Sequence, residues 1–300
     1  MGNESSYNDE GLVRDYRERY SAALEDATSG GVSERAAARF RSIIYRFYTR
    51  HLRDFPWRRT ADPYHILVSE IMLQQTQVGR VAEKFPEFID AFPTPTALAD
   101  ATLARVLAVW QGLGYNRRAG NLHRLAAAVV EEHDGMIPDD PDLLARLPGI
   151  GRATAASICA FAFNRPVAFI ETNIRAVFIH FFFPDRERVD DREILPLVES
   201  VLDRSDPRAW YSALMDYGSM LKKRHPNPSR RSARHRRQSP FKGSRRQLRG
   251  EVIRILLHNP GVTVRRLSLI AERPEAEVRE AVEGLIGEGL AYPKGKGIFI

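Results

Sequence analysis

Cysteine is nearly absent from this sequence, which carries a single thiol, Cys159, among its 300 residues. One cysteine excludes an internal disulfide and any metal centre built from several cysteines. Long apolar runs are missing as well: no stretch approaches the ~20 residues that a membrane-spanning helix requires. The first residues also lack the charged and then apolar pattern of a secretion signal. We therefore expect a soluble, cytoplasmic protein with no metal site and no membrane association.

Positive charge is present in excess but is unevenly distributed along the chain. The net charge is +7, whereas residues 222–249 alone contain twelve lysines and arginines and no acidic residue. The rest of the chain is therefore net negative. A basic segment on a mildly acidic protein indicates a polyanionic partner such as DNA or RNA. A solvated tail has the same composition, and charge alone does not separate these interpretations.

The apolar pattern predicts an all-α protein with four regions. Residues 1–32 are polar and form a loose arm or one weak helix. Residues 33–221 are a succession of helical patterns broken by proline, glycine and aspartate, with few alternating runs typical of strands. Residues 222–247, basic and containing proline and serine, are predicted to be a linker. Residues 248–300 have the pattern of a separate small domain.

This C-terminal region predicts three helices followed by a hairpin around residues 293–297. That order of elements is typical of a winged helix, which contacts DNA through its third helix and its hairpin. A protein-docking module is an equally good interpretation. The predicted third helix is mostly acidic, which argues against strong binding in a DNA groove; the acidic residues are Glu275, Glu277, Glu280 and Glu283.

Residues 143–158, LLARLPGIGRATAASI, predict two helices joined by a tight glycine-containing hairpin. Glycines let the backbone approach a phosphate closely, and the N–H groups at the start of the second helix point toward it. Such contacts position DNA without reading its sequence. A Pro-Gly-x-Gly turn alone would suit an ordinary helical connection, but the whole run is more specific. The predicted backbone-binding residues are Leu147, Pro148, Gly149, Ile150, Gly151, Arg152 and Thr154.

This hairpin resembles that of the endonuclease III/MutY superfamily, and further segments of residues 50–224 resemble MutY-type adenine glycosylases. The matching segments are Pro56-Trp57-Arg58, Asp62-Pro63-Tyr64, SEIMLQQTQV at 69–78, WQGLGY at 110–115 and Asn121-Leu122. The resemblance implies a two-lobed helix-hairpin-helix glycosylase fold. It also implies an enzyme of base excision repair that hydrolyses the N-glycosidic bond of a mispaired base in double-stranded DNA.

Glu70 corresponds to the catalytic acid of this family, which protonates the purine at N7 and then helps to activate water. In the sequence it lies in an apolar helical segment beside Ile66, Leu67 and Leu73. Burial there predicts a raised pKa, so that the carboxyl group keeps its proton. Without the resemblance, Glu70 would be interpreted as part of a solvated helix face.

Excision also needs a second carboxylate, because the sugar acquires positive charge in the transition state. The family has an aspartate in an Asp-Gly-Asn context, whereas this chain has Glu171-Thr172-Asn173. Glu171 keeps the charge on an arm longer by one methylene. This departure from the family's aspartate leaves open which base is the substrate and how fast it is excised.

Two further positions match the family's wedge residues, which enter the base stack when a nucleotide is flipped out: Gln75 and Tyr115. For Tyr115, a half-buried aromatic at a helix end is the alternative. Ala153 stands where glycosylase/lyases carry a lysine that forms a Schiff base, so the resemblance implies a monofunctional enzyme without a lyase step.

The family usually follows its last core helix with four cysteines that hold an iron–sulfur cluster. Here that region reads LKKRHPNPSRRSARHRR, so we predict no cluster and no other cofactor. We predict that arginines contact the phosphate backbone in place of the cluster loop. They are Arg230, Arg231, Arg234, Arg236 and Arg237.

The resemblance leaves the target open among three alternatives. The first is adenine opposite guanine or 8-oxoguanine. The second is another base on the same scaffold, such as thymine or uracil opposite guanine or a deaminated purine. The third is a non-catalytic DNA-binding protein. The C-terminal region is not the Nudix-like domain with which MutY-type enzymes recognise 8-oxoguanine. In a prokaryote, each alternative implies association with the nucleoid.

Overall fold

The computed structural model describes residues 10–26, 32–235 and 240–300. Within these ranges the chain forms fifteen α-helices, two short 3-10 helices and one two-stranded hairpin, which confirms the all-α prediction. None of the described helices is long and apolar enough to cross a membrane. The chain divides into two compact units: unit 1 comprises residues 1–54 and 156–236, and unit 2 comprises residues 55–155 and 237–300.

Of the first nine helices, six contain eleven residues or more and three contain seven or fewer. In chain order they are α1 (Glu10–Asp26), α2 (Glu34–His51), α3 (Pro63–Leu73), α4 (Val78–Ala91), α5 (Pro95–Ala99), α6 (Leu103–Val109), α7 (Arg117–His133), α8 (Pro141–Leu144) and α9 (Arg152–Phe163). One 3-10 helix, Pro56–Arg58, precedes α3. The division between the units falls within α9, after Ala155.

The remaining six helices lie after Glu171, the predicted second carboxylate. They are α10 (Thr172–Phe182), α11 (Asp191–Ser200), α12 (Pro207–Arg224), α13 (Arg245–His258), α14 (Val264–Ala271) and α15 (Glu275–Gly287). The second 3-10 helix is Pro228–Arg231. The strands β1 (Tyr292–Lys294) and β2 (Gly297–Phe299) pair antiparallel.

The core of unit 1 is rich in aromatic side chains around α10. This helix is apolar on nearly every side and is therefore buried. It packs mainly against α12, the 3-10 helix of residues 228–231 and α11. The ring of Phe40 on α2 contacts Phe181 edge-on at 4.9 Å between centroids, and Trp210 on α12 at 5.8 Å. Edge-to-face packing of this kind adds to the stabilisation from burial alone.

Part of the predicted N-terminal arm belongs to this core. Residues 10–26 form α1, and the side chains of Val13 and Tyr16 are buried. The Tyr16 ring lies 5.8 Å from that of Phe181. Because these two apolar residues are three positions apart, they share one helix face. The interpretation of residues 10–26 as a loose arm is therefore wrong, whereas the alternative of a single helix is correct.

Unit 2 combines α3–α8 with the C-terminal module, which we define as residues 240–300. In its helical part, Trp110 is fully buried and meets Phe88 edge-on at 5.7 Å. The C-terminal module packs on the same unit: α13 contacts α6, and Arg124 on α7 donates to the carbonyl oxygen of Glu288 at 3.2 Å.

The C-terminal module contains three helices and a hairpin in the predicted order. The amide of Ile298 in β2 donates to the carbonyl oxygen of Val262 at 3.0 Å, and the amide of Gly261 donates back to Ile298 at 2.9 Å. This pairing joins the hairpin to the turn before α14. The helix α13 begins at Arg245, so Arg245 and Arg246 are helical although the sequence predicted a linker up to residue 247.

Candidate active site and DNA-contacting surface

The helix that carries the predicted acid, α3, begins at a well-formed N-cap. The carboxylate of Asp62 accepts hydrogen bonds from the amides of Tyr64 at 2.8 Å and His65 at 3.1 Å, and Pro63 fills the first helical position. Such a cap satisfies amides that have no partner inside the helix. Glu70 is half-buried in the last turn of α3, next to the fully packed Ile71.

The end of α3 is capped by a buried arginine on another helix, Arg118 of α7, which is 9% exposed. Its guanidinium donates hydrogen bonds of 2.7–3.1 Å to six oxygens. The acceptors are the carbonyls of Ile71, Met72, Gln74, Leu113 and Gly114, and Oγ1 of Thr76. Burial lowers the pKa of Arg118 to about 10, and the side chain remains a cation at neutral pH. A cation at a helix C-terminus also interacts favourably with the helix dipole.

The two predicted wedge residues lie in the two loops that Arg118 joins. Gln75 follows α3 with φ of 56°, and Tyr115 precedes α7 with φ of 48°. Both are non-glycine residues in the left-handed region, a conformation that costs of order 1–3 kcal/mol and persists only when its surroundings enforce it. The hydrogen bonds of Arg118 to residues 74, 76, 113 and 114 provide that enforcement.

The predicted hairpin forms a tight turn anchored by two buried side chains, Leu147 and Ile150. The amide of Ile150 donates to the carbonyl of Leu147 at 3.1 Å. Gly149 has φ of 81°, and a Cβ there would lie 2.8 Å from Cβ of Asn121 on α7. Only glycine therefore fits this position.

The outer part of the hairpin is open to solvent: Gly149, Gly151 and Arg152 are exposed, and Pro148 is half-exposed. Thr154 is partly buried, and its Oγ1 accepts a hydrogen bond from Nε2 of Gln74 at 3.4 Å. Residue 74 directly precedes the wedge candidate Gln75. Unit 2 thus brings the loop after α3 and the hairpin helix into contact.

The second predicted carboxylate, Glu171, lies in unit 1 as the N-cap of α10. Its Oε1 accepts hydrogen bonds from the amides of Asn173 at 2.5 Å and Ile174 at 3.0 Å, while Nδ2 of Asn173 lies 3.3 Å from Oε2. Short side chains such as aspartate and serine usually take this role. The additional methylene of glutamate therefore still permits capping.

Burial raises the pKa of Glu171 above that of a free glutamate. The capping hydrogen bonds and the charge of Lys222 on α12 oppose this effect. Gly218 brings α12 close to the start of α10, since a Cβ there would overlap the carbonyl of Asn173. The packing of α12 thus supports both the cap and the nearby positive charge.

The arginines predicted to contact the phosphate backbone do not share one environment in the described part of the chain. Arg230 and Arg234 are exposed in unit 1, whereas Arg236 and Arg237 lie outside the described residues. The guanidinium of Arg231 donates to the carbonyls of Phe183 at 2.6 Å, Pro184 at 2.8 Å and Arg186 at 2.9 Å. We therefore assign Arg231 a structural role, because its N–H groups already donate hydrogen bonds to carbonyl oxygens of the segment that follows α10.

Three residues of these surroundings were not predicted: Arg118, Asn173 and Lys222. Arg118 carried a weak signal, since an arginine four residues after the glycine-rich loop of residues 112–114 is well placed to bind carbonyl groups. Lys222 was counted only as part of the basic segment. Its proximity to Glu171 depends on how α12 packs.

The sequence and the structure are both similar to DNA repair glycosylases. Residues 68–199 match the HhH-GPD superfamily of base excision DNA repair proteins. An adenine DNA glycosylase of Mycolicibacterium smegmatis is 32% identical over 271 residues, covering 84% of this chain and 92% of that protein. An adenine DNA glycosylase of Mycobacterium tuberculosis is 44% identical over 132 residues, which span 44% of this chain and 43% of that protein.

Among solved structures, a thermostable thymine-DNA glycosylase is 28% identical with a TM-score of 0.58, over 61% of this chain and 86% of that one. An endonuclease III in a non-covalent DNA complex is 20% identical with a TM-score of 0.50, over 68% and 90% of the two chains, and shows the fold alone. The fold and these matches define a helix-hairpin-helix base excision repair protein. Within that class, the chain belongs to the adenine DNA glycosylase family, which confirms the MutY-type resemblance.

Proposed function

We propose that this chain is a monofunctional DNA glycosylase that removes adenine mispaired with guanine or 8-oxoguanine. One observation carries the proposal: Arg118 joins the end of the Glu70 helix to both wedge loops. A buried side chain with six acceptors fixes the acid and the wedge relative to each other. The relatives named adenine DNA glycosylases favour adenine as the base.

In this reaction Glu70 donates its proton to N7 of adenine, and the C1′–N9 bond breaks with its electron pair passing to the base. The sugar becomes positively charged, and a carboxylate is the side chain best suited to stabilise it. Glu171 supplies this charge. Water then adds to C1′ and releases its proton to the Glu70 carboxylate. The products are free adenine and an abasic site.

The residue at the start of the hairpin helix supports a reaction that ends with hydrolysis. Ala153 is exposed in the first turn of α9, where the family resemblance places the lysine of glycosylase/lyases. A methyl group has no nucleophilic atom and forms no imine with the sugar. We therefore propose that strand cleavage requires added alkali or a separate lyase.

We also propose that the enzyme works without an iron–sulfur cluster, because its residues do not suit one. Such a cluster is held by several thiolates, and Cys159 is buried in α9. The chain that follows α12 has no cysteine, and Arg231 anchors it to carbonyls after α10. Iron analysis of the purified protein should find no stoichiometric iron; a bound four-iron chromophore would contradict the proposal.

A panel of labelled duplexes tests the reaction. It should contain adenine opposite 8-oxoguanine, guanine and thymine, together with thymine, uracil and a deaminated purine opposite guanine. After incubation and alkali, cleavage should be strongest at adenine opposite 8-oxoguanine or guanine. A thymine-DNA glycosylase is a structural neighbour of this chain. Preferential cleavage at thymine opposite guanine would therefore replace adenine by thymine as the proposed target base. Binding without cleavage of any duplex would support a non-catalytic protein.

A further inference from the structure

Unit 2 contains a cavity of about 1030 Å³ between residues 111–118, which end in the first turn of α7, and helix α13 of the C-terminal module. Gln75, Tyr115 and the hairpin residue Gly149 line one side, and Phe241 and Arg246 line the other. The cavity therefore adjoins both predicted wedge residues and the predicted phosphate-binding hairpin. Neither predicted catalytic carboxylate, Glu70 or Glu171, is among the described residues that line the cavity.

The lining of this cavity is strongly basic. It includes six arginines and two glutamates. The carboxylate of Glu288 is 2.5 Å from Nη2 of Arg249, and that of Glu251 is 3.5 Å from Arg254. Arg80 and Arg117 are exposed. A concave surface with this excess of arginine favours a polyanion.

The arginine nearest to the wedge comes from the C-terminal module. Nη1 of Arg246 donates a hydrogen bond to the hydroxyl of Tyr115, and its Cζ lies 4.9 Å from the centroid of the Tyr115 ring. The same atom is 5.4 Å from the centroid of Phe241, whose side chain is 57% exposed. The first helix of the module thus holds a wedge residue through its ring and its hydroxyl.

We propose that Phe241 and Arg246 of the C-terminal module bind the unpaired DNA nucleotide beside the wedge, which is distinct from the nucleotide that reaches Glu70. Exposed aromatic rings next to arginines are the usual platform for unstacked bases and their phosphates. Flipping one nucleotide out of a duplex leaves such an unpaired nucleotide behind. The inference thus rests on the proposed function, and it assigns DNA binding in the C-terminal module to α13.

In this account Arg246 is a positioning residue for Tyr115 as well as a DNA contact. The third helix of the module is less suited to DNA: its Glu280 lies 2.8 Å from Arg245, and Glu277 and Glu283 line a second, more acidic cavity. The tip of the β1–β2 hairpin, residues 293–297, carries two basic residues, Lys294 and Lys296. A winged-helix interpretation would give the DNA contact to the third helix and the hairpin; in this proposal the contact comes instead from the first helix and the residues before it.

The test uses the full chain and a duplex in which 2-aminopurine lies opposite a stable abasic-site analogue. This probe needs no excision, and its fluorescence reports whether the unpaired base is stacked. The wild-type protein should bind it and change its fluorescence. Phe241→Ala, at an exposed position, should abolish the fluorescence change and weaken binding roughly tenfold, the scale of one base–aromatic contact.

Arg246→Ala should weaken binding by a similar factor and lower the slope of log affinity against log salt by about one unit. Arg265→Ala on α14 is the charge-matched control, and Lys294→Ala with Lys296→Ala tests the hairpin. Both sets of variants should match the wild-type protein in affinity, salt slope and fluorescence change. Wild-type binding and fluorescence in the Phe241 and Arg246 variants would overturn the inference while leaving the glycosylase intact. A wild-type chain that binds no duplex would overturn both.

Discussion

The two predicted catalytic carboxylates are held in opposite ways. Glu70 lies near the C-terminal end of α3, and neighbouring groups are fixed by an arginine that binds the carbonyls of that helix end. Glu171 lies at the N-terminal end of α10, and its own oxygens accept the free amides of that end. Helix C-termini disfavour a negative charge and N-termini favour one. In the proposed reaction, the first carboxyl group is the proton donor and the second is the charged stabiliser.

The largest effect should follow from removing the proton of the first carboxyl group. Glu70→Gln should lower single-turnover excision by about two to four powers of ten, the usual contribution of a general acid, because an amide does not protonate adenine. Duplex affinity should be unchanged. Glu83→Gln, an exposed position on α4, is the matched control. Near-normal excision by Glu70→Gln would refute its assignment as the acid.

The next effect concerns the second carboxylate. Glu171→Gln keeps an oxygen for the amides of Asn173 and Ile174 but loses the charge, so α10 should stay capped. Excision should fall by about two to three powers of ten, the scale of one lost electrostatic contact in a transition state. Glu171→Asp should retain partial activity, because the backbone is adapted to the longer arm. Full activity in Glu171→Gln would remove this residue from the mechanism.

Two arginines that bind carbonyl groups after a helix provide a sharper comparison. Arg118→Met should reduce the free energy of unfolding by at least about 1.5–3 kcal/mol, the range for one hydrogen bond to a charged group. It should also reduce excision about tenfold or more, because nothing then offsets the strain at Gln75 and Tyr115. Arg231→Met should reduce stability without changing duplex affinity. A loss of duplex affinity in Arg231→Met would instead assign Arg231 to the DNA-contacting surface.

The smallest effect is a shift of the pH profile. Because Glu171 acts as a carboxylate with a raised pKa, excision should increase with pH as this group loses its proton. The charge of Lys222 lowers that pKa, so Lys222→Met should raise it and move the rising limb to higher pH. Lys223→Met, at the exposed neighbouring position, should leave the limb in place. A shift to lower pH in the Lys222 variant would contradict the assigned charge state.

Local patterns in the sequence were sufficient to predict a mostly helical chain. The turn at residues 147–151 and the order of elements in the C-terminal module both depend on residues close together in the chain. Contacts between distant segments were not predictable in this way. The acceptors of Arg118 come from residues 71–76 and 113–114, and Arg246 reaches Tyr115 from 131 positions away.

The basic segment shows why composition did not predict the direction of side chains. Arg230 and Arg231 are adjacent in the sequence, yet one is exposed and the other binds carbonyls that follow α10. Guanidinium groups suit a phosphate and a helix C-terminus equally well. Only the packed position of the 3-10 helix of residues 228–231 distinguishes these two roles.

The most direct test of the central claim is to identify the released base. The purified chain, in excess over a duplex with adenine opposite 8-oxoguanine, should release free adenine in a single turnover, detected by mass spectrometry. The treated strand should stay intact until alkali is added, and borohydride should trap no covalent adduct. If the protein binds this duplex but releases no base from it or from any mismatch, the chain is a DNA-binding protein without glycosylase activity.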